Sequence, residues 1–332
     1  MKKLLLSMMV LVLLAAGLVV VGCAAEEAQD DTLKIGLILP SGRDDMSWSQ
    51  GMYEGVNAVI ANMGAGNARM AVTENVPNPV DAGAAIRDYA NQGFNIIIAH
   101  GSQYQNPLME VAADFPEVTF AHGTAFETAQ NIFAYDPQAQ LGAYLFGWLA
   151  AQMTESQVLG IVGPVRAGDA IKYNYGFIQG VEAADPSIRV LESYTGSFGD
   201  NIQAKEMAEA HINARADILT GTAQQVVGAI QAVSENDGVY WFANDTDQSP
   251  LAPNSIIASQ AYSWETVVQY MVDSHMAGKL GGEIISLDLT NERIQLVFNP
   301  VLMDLVPADL MAEFEVLKAD VASGAIQVRL PE

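Results

Sequence analysis

Short apolar runs alternate with longer amphipathic segments along most of the chain. A continuous apolar run is typical of a strand buried on both faces, and apolar positions at helical spacing are typical of a helix packed on a sheet. In the first part of the chain this pattern predicts strands at about 33–39, 70–74, 95–99 and 117–121, with helices near 48–63, 79–92 and 105–113 between them. Such alternation predicts a parallel α/β sheet.

The same alternation starts again with the long apolar helix "AQLGAYLFGWLAAQM", which begins at Ala139. It predicts strands at 158–163, 188–194, 216–221, 238–244 and about 255–259, with helices near 170–184, 200–212 and 222–234. A mature chain of about 300 residues is more than one hydrophobic core usually holds. The predicted fold is therefore α/β, with two doubly wound parallel-sheet lobes hinged about a ligand cleft.

The lobe boundaries are expected to follow this repeat. The first lobe is predicted to span 33–137 plus about 255–282, and the second lobe 138–254 plus about 283–332.

The N-terminus has the plan of a secretory signal. Lys2 and Lys3 precede the apolar run "LLLSMMVLVLLAAGLVVV", and the run ends in "VVGC", which resembles the lipobox of bacterial lipoproteins. We expect 1–22 to be a lipoprotein signal peptide, Cys23 to be the lipidation site and 23–32 to be a tether. The alternatives are a retained membrane span of about 18 residues and a stray cysteine in an ordinary signal. The expected product is exported and lipid-anchored to the cell membrane, facing the periplasm or the cell exterior.

The mature chain is strongly acidic. The whole sequence has 15 Lys and Arg against 39 Asp and Glu residues, so loss of Lys2 and Lys3 leaves 13 basic residues and a net charge of −26. Such a surface is solvated and repels phosphate backbones, so nucleic acid is not an expected partner. Cys23 is the single cysteine, so no internal disulfide is expected.

Aromatic residues stand in the loops that follow the predicted strands. Ligands of parallel sheets bind at the carboxyl ends of the strands, because backbone N–H groups of the following helices point there. Trp48, Tyr104, Phe198 and Trp264 all fall in such loops. One aromatic residue would most simply pack beneath its loop, but four on both sides of a cleft favour a flat ligand.

Other residues of the same loops are candidates for contacts with the polar edge of that ligand. The predicted site also contains Asp45, Ser49, Ser102, Gly221, Asp245 and Asp247. Asp45 has a second interpretation, in which it only caps the helix that begins near Met46.

Five segments carry a family resemblance: "DDMSWSQGMYEG", "YDPQAQLGAYLFGWLAAQMTES", "GFIQGVEA", "GSFGDNIQAKEMA" and "NDTDQS". They resemble the basic membrane lipoprotein family, the substrate-binding proteins of ABC importers that include purine nucleoside receptors, and the resemblance extends over the chain from about Leu33. It implies a type I periplasmic-binding fold, an ABC permease as partner and a purine stacked between Trp48 and Phe198. Asp45 and Asp245 match the acidic positions of two of the motifs.

Two positions depart from the nucleoside receptors of that family. Ser49 stands where they have asparagine, and Tyr262 stands where they have a lysine that contacts the sugar. Tryptophan in both "DMSWS" and "YSWE" is similar to a subgroup in which some members hold a free purine base, and Trp264 would take the room of the ribose. The resemblance thus implies a binding protein for an adenine-like base, whose N–H groups a carboxylate accepts. A purine nucleoside receptor, with the Tyr262 hydroxyl replacing the lysine, is the alternative.

Catalytic motifs do not occur in the sequence. It has no G-x-x-x-x-G-K, H-E-x-x-H or G-x-S-x-G motif, and "GAGNAR" fails the dinucleotide pattern. His100 and His122 end adjacent strands and either meet in the cleft or, as we favour, are packed neutral side chains. "DDMSW" and "NDTDQ" lack a calcium-loop spacing. No enzyme activity, metal or cofactor is therefore expected, although an exported nucleoside-acting hydrolase and a surface lipoprotein with a protein partner stay open.

Overall fold

The computed structural model describes residues 32–330. The predicted signal peptide 1–22, the lipidation site Cys23 and all of the tether except Thr32 lie outside the described residues. Residues 32–330 contain twelve strands and nine α-helices.

The strands are short and mostly apolar, as expected of strands that helices cover on both faces. In chain order they are β1 Leu33–Ile38, β2 Ala68–Thr73, β3 Ile96–Ala99, β4 Thr119–Gly123, β5 Ile132–Pro137, β6 Val158–Gly163, β7 Arg189–Tyr194, β8 Ile218–Gly221, β9 Tyr240–Asp245, β10 Ile256–Tyr262, β11 Ile284–Leu287 and β12 Ile294–Phe298.

These strands form two sheets of six strands each. The first sheet has the order β11-β5-β4-β3-β1-β2 and is parallel throughout. The second has the order β12-β10-β9-β8-β6-β7 and is parallel except for the antiparallel pair of β10 and β12. The predicted architecture of two α/β lobes is confirmed.

The helices connect successive strands, and their apolar faces cover the sheets. They are α1 Trp48–Met63, α2 Pro79–Asn91, α3 Gln105–Ala112, α4 Ala139–Met153, α5 Gly168–Ala184, α6 Asn201–Asn213, α7 Val226–Ser234, α8 Trp264–Met276 and α9 Ala308–Ala322. Among the residues described, no helix combines the length and the apolar character needed to cross a bilayer.

The last third of the chain differs from the expected lobe boundaries. Strand β10 belongs to the second sheet, whereas 255–282 was assigned to the first lobe, and β11 belongs to the first sheet, whereas 283–332 was assigned to the second lobe. The reason is that β10 is the next strand after β9 and pairs with it in the second sheet. The chain returns to the first lobe only after β10, through helix α8, which packs on α1.

Helices α4 and α5 pack against each other unusually closely. A Cβ atom on Gly180 of α5 would overlap the carbonyl oxygen of Tyr144 on α4, and one on Gly147 of α4 would overlap the carbonyl oxygen of Phe177 on α5. Small residues therefore allow the two backbones to meet. This contact holds α5, whose first turn faces the cavity described below.

Candidate functional site

A cavity lies between the two lobes, at the carboxyl ends of their strands. The empty space between its walls is about 510 Å³ when the part that opens to solvent is counted. The first lobe contributes Pro40, Trp48, Gly101, Ser102, Gln103 and Thr124, and the second contributes 167–170, Phe198, 222–224 and Asp245.

Trp48 is the first residue of α1, and its position is fixed by neighbours on several sides. Its ring stacks on His100 with centroids 4.2 Å apart and planes 9° apart. Its indole Nε1–H donates to the carbonyl oxygen of His100 at 3.1 Å. These contacts hold the Trp48 ring as an aromatic wall of the cavity.

His100 supports Trp48 as a neutral side chain. Its Nε2–H donates to the carbonyl oxygen of Trp48 at 3.0 Å, so its Nδ1 accepts from the hydroxyl of Tyr135 at 2.8 Å. Burial lowers the pKa of His100 to about 3. His122 is also buried and donates from Nε2 to the carbonyl oxygen of Glu127, and burial lowers its pKa as well. Both are packed neutral histidines, as expected.

Phe198 faces the cavity from the second lobe, in the loop after β7. Its side chain is 45% exposed and forms part of the cavity wall. Because Trp48 belongs to the opposite lobe, the two predicted stacking residues flank the same cavity.

Asp45 caps helix α1 and does not line the cavity. Its Oδ1 accepts from the backbone N–H groups of Ser47 and Gln50, each at 3.0 Å. Its Oδ2 accepts from the N–H of Ser49 at 3.0 Å and from the hydroxyl of Ser41. The second interpretation of Asp45, a helix cap, therefore describes its contacts. Ser49 is fully buried beside it and also does not line the cavity.

Asp245 lines the cavity, but its carboxylate already accepts from four donors. Oδ2 accepts from the Ser47 hydroxyl at 2.6 Å and from the Ala223 N–H at 3.2 Å. Oδ1 accepts from Asn244 Nδ2 at 2.9 Å and from the Thr222 hydroxyl at 3.4 Å. Burial, reinforced by the charge of Asp169, raises the pKa of Asp245 to about 7.

Hydrogen bonds close the lobes on one side of the cavity. Ser47, in the first lobe, donates to Asp245 in the second, and Gln224 Nε2 donates to Ser41 Oγ at 3.1 Å. Gln248 Nε2 reaches the carbonyl oxygen of Met46 at 3.0 Å. The loop between β1 and α1, which was predicted to bind the ligand, thus also joins the two lobes.

Like Asp45 and Ser49, three more predicted site residues do not line the cavity. Tyr104 is fully buried in the first lobe, and its hydroxyl donates to the carbonyl oxygen of Val76 at 2.6 Å. Trp264 packs edge-on against Trp48 at 5.1 Å, in the aromatic cluster behind the cavity wall. Gly221 is the last residue of β8 and is buried. The rings of Tyr104 and Trp264 are packed in the protein core. Their position in loops of the sequence does not reveal this.

Asp247 and Tyr262 also lie outside the cavity walls. The Asp247 carboxylate accepts from the N–H of Ser249 and from the hydroxyl of Ser259. The Tyr262 hydroxyl accepts from Gln260 Nε2 at 3.2 Å, and its ring is buried beside Trp264. Of the residues predicted from the sequence, the cavity thus brings together Trp48, Ser102, Phe198 and Asp245.

Asp169 is an acidic cavity residue that the sequence reasoning missed. It is the second residue of α5 and lies at the cavity wall with a partly exposed side chain. Burial raises its pKa to about 6, although the nearby charge of Lys172 opposes this rise. The signal in the sequence was the loop "GPVRAGD" after β6, whose last residue is this aspartate.

The remaining polar wall consists of uncharged groups. Gln103 and Thr124 follow strands of the first lobe, and Thr222 and Gln224 follow β8. Within 32–330, no group of three or more His, Cys, Asp or Glu side chains is placed to hold a metal ion. The arrangement offers flat apolar surfaces and hydrogen-bonding groups to a small organic molecule.

Comparisons with known proteins agree with this description. A family model described as "ABC transporter substrate-binding protein PnrA-like" (Bmp) matches residues 32–319. A purine-binding protein of Brucella abortus is 27% identical over 249 residues, which cover 75% of this chain and 69% of that protein. The transcriptional activator protein med of Bacillus subtilis is 24% identical over 282 residues, covering 84% of this chain and 87% of that protein.

The fold is also similar to that of solved structures. The crystal structure of an ABC transporter solute-binding protein from Aeropyrum pernix K1 matches with a TM-score of 0.80 and 20% identity, covering 90% of this chain and 94% of that one. Since the family model spans nearly all of the two lobes, the chain belongs to the Bmp family of PnrA-like ABC transporter substrate-binding proteins.

Proposed function

We propose that the protein is a lipid-anchored solute-binding protein of an ABC importer and that it holds a free purine base, adenine or a close analogue, in the cavity between the lobes. The observation that carries this proposal is the position of Trp48 and Phe198, which flank one cavity from opposite lobes. A planar ring between them would be stacked on both faces when the lobes close. The similarity to a purine-binding protein supports a purine as that ring.

The polar groups favour the base over its nucleoside. Ribose brings hydroxyls that need partners, and each hydroxyl buried without one costs about 1–3 kcal/mol. Asp245, the acid of the second lobe that matches a family motif, already accepts from Ser47 and three other donors. Tyr262 is buried outside the cavity, so its hydroxyl does not replace a lysine there.

Trp264 does not lie where it would exclude ribose, contrary to the expectation from the sequence. Its ring lies behind Trp48 and not at the cavity wall. The preference for the base therefore depends on the occupied carboxylate of Asp245 and on the position of Tyr262 outside the cavity. We expect adenine to bind at least about tenfold more tightly than adenosine, a difference of about 1.4 kcal/mol.

Calorimetric titration of the mature protein with matched pairs, adenine against adenosine and hypoxanthine against inosine, tests this proposal. A consistent preference for the nucleosides would support the alternative of a nucleoside receptor in the same family. Failure of both members of both pairs to bind would refute a purine ligand.

Recovery of the ligand distinguishes a binding protein from an exported hydrolase. After incubation with adenosine, chromatography should return the nucleoside intact, because the chain belongs to a family of substrate-binding proteins. Appearance of free adenine in proportion to protein concentration would contradict this expectation.

The membrane and the permease complete the proposed function. Lipid on Cys23 would hold the protein at the cell membrane, facing the periplasm or the exterior, and the ABC permease would receive the loaded protein. Family membership supports a permease as the partner.

A further inference from the structure

The carboxylate of Asp169 differs from the other acids at the cleft in its contacts. Asp45 and Asp245 each accept from four donors of the protein. Asp169 makes no hydrogen bond or ion pair with another side chain of the described residues, and only backbone N–H groups of its own first turn approach it. It is thus the acid at the cavity with acceptor capacity left for a ligand.

Arg166 and Lys172 each lie three residues from Asp169 in the sequence, and both are used elsewhere. Arg166 pairs with Glu192 at 3.7 Å. Lys172, one helical turn further along α5, donates to Asp136 Oδ1 at 2.6 Å, and both side chains are buried. No Lys, Arg or His of residues 32–330 lines the cavity. A ligand that carries a negative charge would therefore meet carboxylates without a compensating cation.

A role limited to helix α5 does not account for the position of Asp169. An acidic residue in the first turn of a helix is stabilised by the helix dipole when it is exposed and charged. Partial burial at the cavity wall instead raises the pKa of Asp169 to about 6, so its environment disfavours the charged form. The N–H groups of Asp169 and Ala170 and the charge of Lys172 offset this cost only in part, and a bound ligand can supply further donors.

We propose that Asp169 is the specificity-determining residue of the cavity and that it accepts a hydrogen bond from an amino group on the edge of the stacked ring. An ionised carboxylate accepts hydrogen bonds and donates none. The ligand class is then an amino-bearing heterocycle without negative charge, and oxo-purines that ionise and nucleotides with phosphate groups are rejected. This inference rests on the proposed function, because it assumes a flat ring between Trp48 and Phe198.

The test compares adenine with unsubstituted purine, which has the same rings and lacks the amino group. Calorimetric affinities for both are measured with wild type, Asp169→Asn and Asp309→Asn. Asp309 is the matched control, since it is also the second residue of its helix, α9, but is exposed and lies outside the cavity. Thermal midpoints measured without ligand establish that each variant is folded.

In wild type and Asp309→Asn, adenine should bind at least about tenfold more tightly than purine, equivalent to about 1.4 kcal/mol. In Asp169→Asn this ratio should fall, with most of the loss in the affinity for adenine, because an uncharged amide oxygen is a weaker acceptor than a carboxylate. If wild type binds both bases and Asp169→Asn retains the wild-type ratio, the role of Asp169 is refuted while the purine-binding proposal stands. If wild type binds neither base, the proposed function is wrong and this inference falls with it.

If Asp169→Asn does not fold, Asp169→Ala replaces it in the same comparison. Alanine is the residue most compatible with a helix, and its side chain has no hydrogen-bond acceptor. An unchanged ratio in that variant refutes the proposal in the same way.

Discussion

The ion pair of Lys172 and Asp136 allows a quantitative test of how the two lobes are held together. Lys172 is on α5 of the second lobe, and Asp136 is on β5 of the first sheet. Their atoms are 2.6 Å apart, and the side chains are 9% and 5% exposed. Replacing Lys172 with Met keeps the length and apolar part of the side chain but leaves the Asp136 carboxylate buried without its cation. Breaking a buried pair in this way costs about 3–5 kcal/mol.

The loss of stability in Lys172→Met should increase as the pH rises. Burial already raises the pKa of Asp136, and Lys172 opposes this rise. In Lys172→Met the folded-state pKa rises further above the value of about 3.9 for an unfolded chain. Between these two values the folded variant binds more protons than its unfolded state, so its stability falls as pH rises. The loss of stability relative to wild type should therefore be larger at pH 8 than at pH 5.

Urea denaturation followed by circular dichroism, at pH 5 and at pH 8, measures this difference. The control is Lys205→Met, which removes a pair with Glu235 at 2.8 Å whose side chains are 27% and 49% exposed. An exposed pair contributes about 0–1 kcal/mol, so the control should change little at either pH. A loss in Lys172→Met no larger than in Lys205→Met, or one that is equal at both pH values, would refute the reasoning.

Three further predictions concern the anchor, the stack and the cavity acids. Cys23→Ser should move the mature protein from the membrane to the soluble fraction on cell fractionation, and unchanged partition with membranes would contradict the lipobox interpretation. Trp48→Ala and Phe198→Ala should each weaken adenine binding by about 1–3 kcal/mol, the scale of base stacking on an aromatic ring, and unchanged calorimetric affinity in both would remove the stacking model. Adenine affinity should fall as pH drops through about 6, because the raised pKa of Asp169 then leaves its carboxyl protonated; Asp169→Asn should lose this dependence, and its persistence would assign the titration to another group, such as Asp245.

Most strands and helices were predicted from the sequence, because their apolar and polar patterns depend only on residues that are close together in the chain. Apolar runs such as "IIIA" in β3 and the amphipathic helices between them are visible without knowledge of the fold. Strands β5, β11 and β12 were not predicted. β11 has only four residues, and β5 ends in Asp136 and Pro137, so their identity as strands depends on pairing with each other across about 150 residues of chain. This long-range pairing also places β11 in the first lobe, whereas β10 belongs to the second lobe because it pairs with the preceding strand β9.

Residue type and loop position identify candidate ligand-binding residues, but they do not show which groups each side chain contacts. Asp45 and Asp169 both stand at the start of a helix after a strand of a parallel sheet, where ligands bind. Asp45 stands three residues before Trp48, the first residue of α1, so its carboxylate can turn back onto the N–H groups of Ser49 and Gln50 and is used there.

Asp169 lies one residue inside its own helix, and its carboxylate faces the cavity wall. A shift of four residues relative to the helix start therefore separates a structural carboxylate from one that is free to bind. The helix start itself is set by packing that the sequence pattern locates only to within a few residues. In Asp45→Ser a single hydroxyl oxygen replaces a carboxylate that accepts from four donors, so stability should fall by about 0.5–2 kcal/mol while the adenine-to-purine affinity ratio keeps its wild-type value. A ratio that collapses in Asp45→Ser and survives in Asp169→Asn would return ligand recognition to the loop between β1 and α1.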